Sequence, residues 1–166
     1  MLLYEAARKH AHKISQATPV DRTGTKSLEQ IAAIYGATVF FRPLKDDVSG
    51  VVIKNAGEDP TIFINTNETF VRQRFTLAHE IGHLVERREL GEDDDYSFVD
   101  GRIDDHYDLH EFFADEFAGS LLMPAEEFLR VYDADGKYAT AVHFGVSVPA
   151  VEKRKKRLDK NPPVAQ

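Results

Sequence analysis

Residues 79–83 read His-Glu-Ile-Gly-His. On an α-helix, a separation of four residues is a rotation of about 40°. Both imidazoles therefore project from one face and can chelate one Zn²⁺. The motif demands a helix, which the surrounding pattern extends over about residues 68–88 with Asn67 as its cap. Leu77, Ile81, Leu84 and Val85 form its apolar stripe and can anchor it in a core. Glu80 lies one step round from His79, where it can reach a metal-bound water without ligating the metal. Gly82 costs about 1 kcal/mol of helix propensity against Ala. Its missing side chain would let another element approach His83.

A catalytic zinc needs a third protein ligand and an open fourth position. Glu111 is the best candidate. It and Asp115 share one face of a helix over about 108–122, away from the stripe of Phe113, Phe117 and Leu121. Asp115 is placed to accept the free N–H of a ligating histidine and so fix its tautomer. Asp108, His106 and His110 are rival third ligands, although His110 points about 100° from Glu111 on the same helix.

The rest of the chain frames this pair of helices. With 166 residues, 42% hydrophobic and 30% charged, it has the makings of one soluble domain spanning 1–166. It holds no cysteine, which excludes disulfides and thiolate metal ligands. No run of 18 apolar residues offers a membrane span, and Glu5 breaks the start of any signal peptide. Both features favour the cytoplasm. Helical periodicity covers residues 2–17, then a second helix capped by Ser27 with Gln30 as its capping-box partner and ended by Gly36. Three short β-like runs follow at 38–41, 50–54 and 61–65. After the motif helix comes an acidic stretch, read as a loop over 89–107, in which Tyr96, His106 and Tyr107 are candidate oxyanion donors. Then come the helix from about 108, a short one from Pro124 through Tyr132, a weak one near 138–144, and a last one capped by Ser147 or starting at Pro149. The segments are thus helices over 1–36, a small three-stranded sheet over 37–66, the motif helix over 67–88, the acidic loop, and C-terminal helices over 108–160. Strands followed by helices, instead of alternating with them, predict an α+β fold.

The formal charge is −7, yet residues 152–160 carry a net +4. An acidic chain disfavours direct DNA binding, and the basic run reads foremost as a solvated helix end.

Two stretches together, RFTLAHEIGH at 74–83 and EFFADEFAGSLLMP at 111–124, resemble the ImmA/IrrE family of metallopeptidases. HFGVSVPAVEKRKKRL, from 143 to 158, is similar to that family's ending. Asp115 departs from the family's usual Asn and looks like the gluzincin E-x-x-x-D arrangement. The resemblance implies a zincin-like fold, one catalytic Zn²⁺ held by His79, His83 and Glu111, and Glu80 as general base. It implies an endopeptidase of prokaryotic or phage origin that cleaves helix-turn-helix repressors of the xre type, relieving repression of mobile elements, phages or stress-response genes. The alternative is a regulator, of toxin–antitoxin type, that binds a repressor or DNA without proteolysis. The 27 residues between His83 and Glu111 form a long acidic insertion from which the resemblance assigns nothing.

Overall fold

The computed structural model describes residues 1–91, 94–101 and 107–163. Two helices, α1 (Leu3–Ala17) and α2 (Lys26–Ile34), precede three strands, β1 (Thr38–Arg42), β2 (Val48–Lys54) and β3 (Thr61–Asn65). The central helix α3 (Phe70–Glu89) leads into a fourth strand, β4 (Tyr96–Gly101). The chain then continues through α4 (Leu109–Leu122), α5 (Ala125–Phe144) and α6 (Val148–Lys160). The fold is α+β and compatible with a zincin-like arrangement. Among the described residues no helix is long and apolar enough to cross a membrane.

Among the described residues the sheet has four strands, not the three expected. Its order is β1-β3-β2-β4, with β1 parallel to β3 and the other neighbours antiparallel. The extra strand lies inside the stretch read as an acidic loop. Its local pattern is short and flanked by acids. What makes it a strand is pairing with β2, from Val48↔Gly101 to Lys54↔Tyr96. Tyr96, Phe98 and Asp100 then face inward, half-buried, while Ser97 and Val99 face out.

Two caps also differ from expectation. Thr69, not Asn67, caps α3 by accepting from the Arg72 N–H at 3.4 Å. Asn67 is drawn into the preceding turn, where its N–H donates to Asn65 Oδ1 at 3.0 Å. Thr25, not Ser27, precedes α2. Ser27 is buried and its hydroxyl accepts from the Asp21 N–H at 2.9 Å. In the C-terminal half, Gly136 at φ 81° breaks α5 into two pieces near the two helices expected there. Asp108 and Ser147 cap α4 and α6.

α3 is the axis of the molecule. Residues Thr76 to Glu86 are buried on every face, because the sheet covers one side and α4 the other. Gly82 makes the second contact possible. A Cβ there would lie 2.8 Å from Ala114 Cα and 3.1 Å from its carbonyl oxygen. Arg74 fastens the start of α3, donating to the carbonyls of Gly24, Phe144, Gly145 and Asp21.

A second buried knot joins α1, α4 and α6. Glu116 is 1% exposed and accepts from Arg8 at 2.7 Å, Arg154 at 3.1 Å and Arg157 at 2.8 Å. Burial alone would raise its carboxyl. Hydrogen bonds from Arg157 and Arg8, with the charge of Arg154, outweigh that and hold it below the ordinary 4.5. A depressed folded value contributes stability above the unfolded value, lost as pH falls through the folded one. Glu116→Gln should therefore cost about 3 kcal/mol at pH 7, by leaving buried guanidinium charge unpaired. The difference from the parent should shrink as pH falls below 4.5. Urea unfolding at pH 7 and in acid checks both statements.

Candidate metal centre

Two adjacent turns of α3 carry His79, Glu80 and His83, which are 3%, 0% and 0% exposed. The facing helix carries Glu111 and Asp115. Asp108 sets where that helix starts, accepting from the N–H of His110 at 2.9 Å and of Glu111 at 3.0 Å. Glu111 thus enters in the first turn. Its Oε2 lies 3.2 Å from His79 Nε2 and its Oε1 3.1 Å from His83 Nε2. Among the described residues neither Nε2 has a hydrogen-bond partner, although both are buried. Ligand bonds of about 2.0–2.1 Å at tetrahedral angles separate neighbouring donors by about 3.3 Å. Two unsatisfied imidazole nitrogens and a carboxylate at this spacing fit a single divalent ion. These are also the only three residues, among those described, that could hold a metal ion as a group.

The other candidate ligands go elsewhere. Asp108 spends its carboxylate on the helix cap. His110 Nδ1 faces Glu86, at 2.8 Å and 3.0 Å from its two oxygens. His106 lies outside the described residues.

Each imidazole is oriented differently. His79 Nδ1 is 3.0 Å from Asp115 Oδ1. The second oxygen of Asp115 accepts from Lys153 at 2.5 Å and from the Tyr107 hydroxyl at 3.1 Å. Arg157 donates to the Tyr107 oxygen at 2.6 Å. His83 has no such hydrogen bond. Its Nδ1 has no hydrogen-bond partner among the described residues, and its ring stacks on Phe98 of β4 at 4.1 Å with an interplanar angle of 1°. Phe98 escaped the sequence reading, and only the alternation Tyr96-x-Phe98-x-Asp100 hints at it.

The charges are strongly coupled. Burial disfavours a charged His79, but the carboxylates of Asp115 and Glu111 beside its two nitrogens outweigh it and hold the imidazole well above its ordinary value. Burial would likewise raise Glu111, yet the two histidines bring it down to about 2. Asp115 is pulled well below the usual carboxylate range, its burial outweighed first by His79 and then by Lys153. Glu80 moves the other way, up, because burial dominates. Among the described residues neither of its oxygens has a hydrogen-bond partner. Gly50 of β2 is what lets the strand pass Glu80. A Cβ there would meet Thr76 Cγ2 at 2.6 Å and Glu80 Oε1 at 3.0 Å. A glycine inside a strand pattern is the sequence signal for such close approach.

A cavity of about 280 Å³ adjoins the cluster, lined by His79, Glu111, Asp115, Asp100, Tyr107 and Lys153 among others. Tyr107 therefore reaches the site. Burial, then Asp115, pushes its phenol up, so it stays a donor. Tyr96 lines a different cavity, with Tyr35, Lys54 and Arg88, and does not join the cluster. The basic run of α6 is only partly a solvated end, since Lys153, Arg154 and Arg157 turn inward to Asp115 and Glu116.

Residues 32–156 match the family model Peptidase_M78, described as the IrrE N-terminal-like domain. The chain belongs to this family. No curated protein is a match for it. The matched span of this IrrE N-terminal-like domain holds α3, β4, α4 and most of α6, hence every residue of the cluster. Membership assigns a metallopeptidase type of function, and the His79, His83 and Glu111 group offers it a metal site.

Two substitutions probe the centre. Asp115→Ala should weaken divalent metal binding about 10- to 100-fold, as loss of a partner to a ligating histidine does. A chelator competition titration measures it. Gly82→Ala should cost about 1–3 kcal/mol of stability by forcing α4 away from α3. It should also lower metal affinity, because Glu111 moves with α4. Helix propensity alone predicts the opposite sign for its stability, so thermal unfolding decides.

Proposed function

We propose that this domain is a zinc endopeptidase whose substrate is an xre-type helix-turn-helix repressor. The observation that carries the catalytic half is the convergence of two buried, unsatisfied imidazole nitrogens and Glu111 beside Glu80, itself buried and without a partner. Nitrogen and carboxylate donors with no thiolate suit Zn²⁺.

His79, His83 and Glu111 would hold the ion. When bound, Zn²⁺ would supply Lewis-acid polarisation of the scissile carbonyl and make a water acidic near neutral pH. Glu80 is the general base. A buried carboxyl with a raised pKa can accept a proton from the attacking water and pass it to the leaving amine. Asp115 keeps His79 in the tautomer that presents Nε2 toward Glu111. Tyr107, a phenol held protonated at the cavity, is the candidate oxyanion donor within reach, and would turn its hydroxyl from Asp115 to the oxyanion.

The substrate half is supported by the family resemblance of the motifs and by charge. The chain outside residues 152–160 is strongly acidic, which complements the basic face of a DNA-binding repressor. Release of such a repressor's operator would activate a mobile-element, phage or stress-response module. A chain with no cysteine fits a reducing cytoplasm in a prokaryotic or phage-infected cell.

Co-expression with the repressor encoded beside the gene tests both halves. Wild type should yield repressor fragments by intact mass. Glu80→Gln should retain zinc, measured by elemental analysis, and lose at least about 100-fold in cleavage rate. Intact repressor co-purifying with both proteins would favour a binding regulator instead.

A further inference from the structure

Among the described residues, the cavity beside the metal centre contains one carboxylate with no direct hydrogen bond or ion pair, although the charges of His79 and Arg72 attract it from a distance. Its lining includes five charged side chains other than histidine. Four are engaged. Glu111 meets both histidines, and Asp115 meets His79 and Lys153. Lys153 is therefore spent on Asp115. Arg72 reaches Glu68 at 3.5 Å and Ser49 at 3.3 Å. Asp100 is the fifth. No hydrogen bond or ion pair reaches its carboxylate from any described residue.

Its position is unusual for a charge. β4 is an edge strand, and Asp100 lies on the inward side with Tyr96 and Phe98, where an apolar residue would serve the core. The residue opposite it on β2 is Gly50, which has no side chain to shield or satisfy it. A carboxylate half out of water with no direct hydrogen bond is unfavourable, and sites that keep one commonly use it. A second metal is a poor explanation, because the described residues that could hold an ion as a group are His79, His83 and Glu111 alone. An organic cation fits better. Phe75, Pro149 and Ala150 line the same cavity and offer apolar surface for an aliphatic stem whose charged end meets the carboxylate.

We propose that Asp100 is a specificity-determining residue that receives the Lys or Arg side chain of a substrate residue close to the scissile bond. The assignment rests on the peptidase reading above and names the chemistry that reading leaves open. It also gives a use to one acid of the long insertion.

The test uses the full chain carrying Glu80→Gln and loaded with zinc, so that peptides bind without being cut. Fluorescence anisotropy would compare acetylated peptides that differ at a single position, Lys or Arg against Gln, scanned along the sequence. One position should favour the basic residue roughly 10- to 100-fold, the range for a hydrogen bond to a charged group. Adding Asp100→Asn should collapse the Lys peptide to the level of its Gln counterpart. Asp100→Glu should keep the discrimination, and Asp100→Lys should turn the preference toward Glu. Absence of a basic preference at every position would overturn the proposal. So would a preference that survives Asp100→Asn, or an equal weakening of Lys and Gln peptides. A preference seen only with free amino termini would overturn it in favour of amino-terminal recognition. The same peptides incubated with wild type and followed by mass spectrometry separate the two readings. Discrimination without cleavage would sink the peptidase reading and leave the cation subsite standing.

Discussion

The contact of α3 with α4 at Gly82 and Ala114 is the constraint on which the rest depends. Two histidines on one helix supply two ligand atoms and no more. The third must come from another element, held within a few tenths of an ångström of the right spacing. At Gly82 the two backbones approach more closely than any side chain allows. One turn further, that proximity sets Glu111 against both Nε2 atoms. The same glycine costs helix propensity, so local stability is given up for tertiary position.

Holding so many ionisable groups in the interior requires a second layer, and α6 provides it. Asp115 would be a buried anion next to another, Glu116, were it not for Lys153, Arg154 and Arg157. Arg157 spans both systems, donating to Glu116 and to the Tyr107 hydroxyl that in turn reaches Asp115. The metal centre and the knot that clamps α1, α4 and α6 are therefore one continuous electrostatic network. Paired in this way, charges that would each be costly alone become a rigid frame for His79.

The sheet serves the site from the other side. β2 passes Glu80 at Gly50, and β4 presses Phe98 flat on His83. One ligand is oriented by a hydrogen bond and the other by an aromatic face. Asp100 follows Phe98 on the inward face of the same strand, so the strand that orients a ligand also carries a charge into the cavity.

Much of this was legible in residue order alone. The period of His79 and His83, the shared face of Glu111 and Asp115, and the stripe of Phe113, Phe117 and Leu121 are local properties of a helix. Helical geometry is the same wherever it is found. The α+β order of elements and the cap at Ser147 follow from equally local chemistry, whereas Asp108, read as a rival ligand, proved to cap α4. β4 was not legible, since a six-residue run flanked by acids becomes a strand only when β2 supplies its hydrogen bonds. Nor was the commitment of Lys153, Arg154 and Arg157, because a basic helix end reads the same whether its partners are water or buried carboxylates. The sequence by itself determined which chemical groups share a helix face. Only the tertiary structure decided which faces meet, because the distances that make three donors a metal site and bring Asp100 to the same cavity are set between elements, by packing.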